Sequence, residues 1–265
     1  MSCFKNNPQG NVWITGDIHG DPMRFHEDSF YEQRDMTYKD KTKNFVIICG
    51  DAALLWYFRG INQAEEDALD WLDGLPFTVL FVDGNHENFN RLNELPVSNW
   101  HGGRVHKLRD SVIHLMRGEI FDIANHSFFT FGGASSHDVQ DGILDMNADI
   151  EKIKEWSKSK DKFFRIKNVN WWKEELPNEN EMKNGLVNLE KVDWKVDYII
   201  THTPSTEMMP SFEYHMYYDI DILMNYLEEI RRKVNYKYWF CGHMHTNLNI
   251  TDKDICLYEQ IIKII

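Results

Sequence analysis

Cysteine is scarce in this chain. The four it has, Cys3, Cys49, Cys241 and Cys256, are scattered, and two of them sit inside apolar, strand-like runs. Neither a disulfide framework nor a CxxC metal site fits that pattern, and a reducing cytoplasm is the expected setting. Long hydrophobic runs are also missing: nothing approaches the roughly 18 apolar residues of a membrane span. The first ten residues hold no apolar signal core, so an unprocessed, soluble chain without a membrane partner is expected. Positive charge is in short supply, with 29 Lys and Arg against 42 Asp and Glu and a net charge of −13. An extended nucleic-acid surface, which needs clustered cations, is therefore not expected. Internal repeats and low-complexity tracts are lacking as well.

What is present begins with alternating strand and helix patterns. The chain has 265 residues, 42% of them hydrophobic, enough for one sizeable core. The expectation is a single α/β domain over residues 1–265 with a helical insertion at about 134–195. Short β-rich runs occur at Val12 to Thr15, Phe45 to Cys49 and Phe77 to Val82. Between the second and third, Ala64, Ala68, Trp71 and Leu75 recur at helical spacing, which reads as a βαβ unit. Val112 to Leu115, Ile120 to Ile123 and Phe128 to Phe131 read as an antiparallel meander. Tyr198 to Ile200 and Tyr238 to Cys241 read as strands around an amphipathic helix carrying Leu223, Tyr226, Leu227, Ile230 and Val234. Ile255 to Ile265 reads as further strand.

The segment from Ala134 to Lys195 is polar and tryptophan-rich, with helices expected near 149–159 and 179–192. Within it, Glu151 to Lys173 carries eight basic residues against three acidic ones, opposite in sign to the whole chain. A solvated helix face packed by tryptophans is the expected meaning, including for Trp171 and Trp172, with a phosphate-attracting cap or a base-stacking pair as the sharper alternative. Trp13, Trp56, Trp71, Trp100 and Trp239 are assigned to core or rim packing.

Five signatures carry chemistry: Gly16-Asp17-Ile18-His19-Gly20, Gly50-Asp51, Gly84-Asn85-His86-Glu87, Thr201-His202-Thr203 and Gly242-His243-Met244-His245. Each lies where an apolar run gives way to glycine or polar residues. Asp17 to Asp51 and Asp51 to Asn85 are both steps of 34 residues, close to the ~30 of one βαβ unit. The motif residues should then recur at one end of neighbouring parallel strands, where open α/β sheets bind ligands. Taken singly each signature is weak; together they supply a complete ligand set for two adjacent metal ions. Asp51, on the middle strand, is the natural bridge. Asp17, His19 and His245 would complete one ion, and Asn85, His202 and His243 the other. The neutral carbonyl of Asn85 binds metal without quenching its Lewis acidity. Manganese is the first expectation, with iron or zinc suited comparably by this donor set.

Two such ions ~3.5 to 4 Å apart can lower the pKa of a shared water and hold the hydroxide in line with phosphorus. Phosphoester hydrolysis follows, with His86 placed to protonate the leaving alkoxide or to donate a hydrogen bond to a phosphoryl oxygen. His101, His106, His114, His126, His137 and His215 lie outside the signatures and are read as non-ligands, with His137 the one that could line the site.

These motifs, from Asp17 to His245, resemble the calcineurin-like metallophosphoesterase superfamily. The resemblance implies a two-sheet αββα sandwich with a dimetal centre at one sheet edge and supports the ligand roles above. Gly-Asp-Ile-His-Gly and Gly-Asn-His-Glu are similar to the serine/threonine protein phosphatase branch, yet that branch's arginines are missing. Ala52-Ala53-Leu54 follows Asp51 where Asp-Arg-Gly would stand, and Asp83 replaces the arginine before Gly84. The phosphate-gripping arginines and a carboxylate partner for His86 are thus unaccounted for; Arg59 could reach the cleft, though a surface loop is the commoner place for it. The closing Gly-His-Met-His is more similar to bacterial phosphodiesterase-like and small phosphatase branches. A small-molecule or nucleotide phosphoester is the expected substrate, ahead of a phosphoprotein. Serine/threonine-type protein phosphatase activity and an inactive phosphoesterase-fold scaffold are the alternatives.

Overall fold

The computed structural model describes residues 10–60, 62–213, 216 and 218–265, so Cys3, His215 and the N-terminal nine residues lie outside it. The first strands are β1 (Asn11–Thr15), β2 (Asn44–Ile48), β3 (Thr78–Phe81), β4 (Val97–Trp100), β5 (Gly103–Arg109) and β6 (Val112–Leu115). Next come β7 (Glu119–Ile123), β8 (His126–Phe131), β9 (Gly142–Leu144), β10 (Phe164–Ile166) and β11 (Tyr198–Thr201). The last are β12 (Tyr238–Cys241), β13 (Leu248–Asn249), β14 (Asp254–Cys256) and β15 (Ile261–Lys263). The α-helices are α1 (Gln63–Asp73), α2 (Phe89–Glu94), α3 (Ile150–Trp156), α4 (Glu179–Lys191) and α5 (Ile222–Lys233).

Two mixed sheets stack face to face. One runs β15-β1-β2-β3-β6-β5-β4 and the other β13-β14-β12-β11-β8-β7, while β9 and β10 form a separate two-stranded pair. The period-two alternation of a strand explains why the parallel strands read as unbroken apolar runs. Val12, Ile14, Phe45, Ile47 and Leu80 turn inward to meet Phe121, Phe128, Ile200 and Phe240 of the other sheet. Their neighbours Trp13, Val46, Ile48, Val79 and Phe81 turn outward against Phe25, Phe30, Leu69 and Leu72. On the far side Phe129, Ile199 and Trp239 pack under Leu189 of α4 and Leu223, Leu227 and Ile230 of α5. The result is the expected αββα sandwich. Truncating a leucine in such a core to alanine typically costs about 2–5 kcal/mol.

The helices start where the sequence supplies caps. Asn62 accepts a hydrogen bond from the Ala64 amide at α1, Asn178 and Glu181 form a reciprocal capping box at α4, and Asp221 accepts from the Met224 amide at α5. Arg231, Arg232 and Lys233 in the last turn of α5 suit its negative dipole end.

Four local expectations change. The meander is split: β6 pairs with β3 and β5 in the first sheet, and only β7 and β8 form an antiparallel pair. The chain changes sheets at Gly118, a left-handed turn, which hydropathy alone cannot register because both faces of β6 are buried. The β1-to-β2 crossover uses short 3-10 segments, not an α-helix. Residues 134–195 hold α3 and α4 as expected but also the β9–β10 pair. The last segment divides, β14 pairing with β12 and β15 with β1. Cys49, Cys241 and Cys256 are free and buried.

Candidate metal centre

Parallel pairing in matched register brings the five signatures to one end of the sandwich. Thr15 lies beside Ile48 and Ile48 beside Phe81, so the loops after β1, β2 and β3 leave the first sheet side by side. Across the sandwich, β11 and β12 pair in parallel and deliver the loops bearing His202 and His243. The strand ends turn sharply: His19, Asp51, His243 and His245 all have positive φ, between 46° and 65°. Such left-handed backbone costs non-glycine residues of order 1–3 kcal/mol each and clusters at functional sites. Two glycines answer to close approach instead. A Cβ on Gly84 would run into the Asp51 side chain, and one on Gly242 into that of Asp17.

The signatures are wired to one another through amide hydrogen bonds. The His243 amide donates to Asp17 Oδ1 at 3.0 Å, the His86 amide to Asp51 Oδ1 at 2.7 Å, and the Ala52 amide to Glu87 Oε1 at 2.9 Å. Each carboxylate thus fixes the backbone of a different motif.

Ligand atoms gather in two groups. Asp17, His19, Asp51 and His245 form one, and Asp51, His202 and His243 the other, each with its donor atoms within 4.8 Å of one another. Asp51 belongs to both. In the first group His19 Nε2 is 3.0 Å from His245 Nε2 and His245 Nε2 is 3.3 Å from Asp17 Oδ2. In the second, His202 Nε2 is 3.3 Å from Asp51 Oδ1 and 3.3 Å from Asn85 Oδ1. Asn85 Nδ2 donates to Ser136 Oγ at 3.4 Å, which turns the carbonyl oxygen toward His202.

The donor chemistry fits a pair of cations. His202 Nδ1 donates to the Cys49 carbonyl at 2.7 Å, leaving Nε2 to face the oxygens of Asp51 and Asn85. A lone pair there would meet only other lone pairs, so a proton or a metal ion must sit among them. Burial opposes a charge on His202, yet Asp51 and Asp17 reverse this and push its pKa up to about 10. Burial would likewise raise the Asp51 carboxyl, but His202, His86 and His243 hold it below the usual carboxylate range. His243 is driven the other way, its pKa lowered by burial and then by His202, which favours the neutral imidazole that a metal requires.

His86 stands beside this cluster, its Nδ1 4.0 Å from Asp51 Oδ2. Burial lowers its pKa to about 4. Arg59 is exposed, its guanidinium over the Phe58 ring. The arginine at the cleft is Arg165 of β10, whose Nη2 lies 3.0 Å from His86 Nε2. Motif reading missed it because its only sequence signal was membership of the basic run from Glu151 to Lys173. Asp83 is buried and engaged by Arg117, at 2.8 Å from its Nε, and by His114 at 3.0 Å.

Among the remaining histidines, His106 and His114 pair away from the ligands, His101 and His126 contact backbone carbonyls, and the His137 ring lies 6.1 Å from that of His243. Trp172 is fully buried and meets Trp56 edge-on at 5.6 Å, whereas Trp71 is 36% exposed. No helix among the described residues is long and apolar enough to cross a membrane.

A family model described as calcineurin-like phosphoesterase matches residues 10–247, and the chain belongs to that family. No curated protein matches the chain.

Proposed function

We propose that this calcineurin-like phosphoesterase is a dimetal-dependent phosphoester hydrolase. In this reading Asp51 would be shared by two ions, Asp17, His19 and His245 would hold one, and Asn85, His202 and His243 would hold the other. The observation that carries it is the sharing of Asp51 between two compact donor groups. When bound, such ions would supply Lewis acidity to the phosphoryl oxygens and lower the pKa of a coordinated water, the chemistry that a direct hydrolysis needs. The chain's own groups orient the rest: Cys49 O aims His202, Ser136 aims Asn85, and His86 faces the reacting centre. Manganese is the first candidate metal, ahead of iron or zinc.

We take the substrate to be a small-molecule or nucleotide ester before a phosphoprotein. Two features support this. The Asp83 carboxylate, tied to Arg117 and His114, occupies the position of a phosphate-gripping arginine. A cavity of about 390 Å³ beside His243, bordered by His137, Tyr218 and Ser136, is the size of a small ligand. The insertion reading of residues 134–195 is supported by Arg165 and Trp172, which close over His86 and Trp56. The buried free thiols suit a cytoplasmic setting.

The test is a panel of para-nitrophenyl phosphate, its bis ester, cyclic nucleotides and a phosphopeptide, run with manganese and repeated with Asp51→Asn. Hydrolysis of the small esters that Asp51→Asn abolishes is expected. Preference for the phosphopeptide would return the protein phosphatase reading, and a chain that binds no metal and cleaves nothing would be a scaffold.

A further inference from the structure

The partner of His86 is a cation, where a carboxylate would be needed to support an acid. Arg165 is buried, and every branch of its guanidinium is engaged. Nε donates to both oxygens of Asp138, at 2.8 and 3.0 Å. Nη1 donates to the Asn170 carbonyl at 2.9 Å. Nη2 lies 3.0 Å from His86 Nε2. A guanidinium is always protonated and can only donate, so the ring nitrogen it faces must offer a lone pair. The one proton of the neutral ring is then on Nδ1, the nitrogen on the Asp51 side. The ring cannot easily turn over. Trp56 covers it at 5.4 Å between centroids, His19 at 4.9 Å, and its own amide is tied to Asp51.

We propose that Arg165 is a positioning residue that fixes His86 as a neutral imidazole carrying its proton on Nδ1, so that His86 donates a hydrogen bond to a phosphoryl oxygen and does not protonate the leaving group. This rests on the phosphoester hydrolase reading above. An acid would need protons on both ring nitrogens, and an Nε2–H would point at the Nη2–H of Arg165 with no acceptor between them. The leaving oxygen therefore departs without a proton from His86, which acts only on charge gathering at phosphorus. Asp138 matters as the anion that holds the guanidinium edge-on, since its two oxygens take Nε and leave Nη2 free for the ring.

Histidine labelled with nitrogen-15 in the zinc-loaded full chain reads the proton directly, with the His86 signal assigned by its loss in His86→Asn. The expected pattern is a protonated Nδ1 in the parent and in Arg165→Lys, which keeps a donor, and its loss in Arg165→Met. A protonated Nε2 in the parent would overturn the proposal. In kinetics on aryl phosphates of graded leaving-group pKa, His86→Asn should lower kcat by one common factor, about 100-fold. A loss that grows with leaving-group pKa would overturn the role. If no ester is hydrolysed by the metal-loaded parent, the hydrolase reading fails, and the nitrogen spectrum still decides where Arg165 puts the proton.

Discussion

The two donor groups that share Asp51 are built from similar residues in different surroundings. His202, His243 and Asn85 are all but sealed, with exposures of 0%, 4% and 3%. Across Asp51, the side chains of His19 and His245 are 29% and 48% exposed. In the sealed half two of the three residues are locked from behind, His202 by Cys49 O and Asn85 by Ser136. On the open half His245 is backed by the stacked ring of Tyr258, at 4.9 Å between centroids. One half should therefore behave as part of the fold and the other as a replaceable site facing solvent. Burial and support behind the ligand, more than ligand identity, separate a structural from an exchangeable ion.

The largest effect should come from the residue the halves share. Asp51→Asn removes the bridge and is expected to lower kcat/KM by about 1000-fold, with loss of both ions by metal analysis; retention of two tightly held ions would break the bridging assignment. Next, His202→Ala takes the donor from the buried Cys49 carbonyl and one of its neighbours from the Asp51 carboxylate, which keeps the His86 amide. It should cost about 1–3 kcal/mol of stability besides its ion, seen as a lower urea midpoint in the metal-free protein. His245→Ala should weaken one ion about 10- to 100-fold while leaving that midpoint nearly unmoved. Equal destabilisation by the two histidine substitutions would erase the distinction. Slow chelation should remove the ions in two phases, the open half first, followed by metal content against time.

The smallest effect lies behind the sealed half. Burial pushes the Glu175 carboxyl, which accepts from the Ser136 amide, up to about 8 from 4.5. Between those values the unfolded chain has released a proton that the folded chain keeps, so stability falls as pH rises through the window. Glu175→Gln should then be more stable than the parent at pH 8.5 by on the order of 2 kcal/mol and gain little at pH 4. A gain of the same size at both pH values would show that the carboxyl does not titrate in this range.

Much of this was legible in the sequence for a definite reason. Asp17, Asp51 and Asn85 follow apolar strands at equal spacing, so strand periodicity and topology place them together before any packing is known. His202 and His243 come from the second sheet, and only the completeness of the donor set pointed to them. What stayed hidden was decided by tertiary contact. Arg165 looked like one cation in a basic run, because nothing local reveals that Asp138 and Asn170 aim it at His86. The split of the supposed meander was hidden likewise, since β6 is buried on both faces and fits either sheet.

The route of the chain after β14 also sets a clock. Having paired with β12, the chain crosses to the first sheet, and on the way the Tyr258 carbonyl accepts from Arg24, which also reaches the Gly16 carbonyl beside Asp17. At ribosomal rates of about 5–20 residues per second, the span from Asp17 to Tyr258 takes roughly 10–50 s to make. For that interval Asp17 and His19 exist as a nascent loop without the strand that braces it or the histidines that face it. An ion taken up by the Asp17, His19 and His245 group would therefore arrive late in the life of each molecule, after this crossing is laid down.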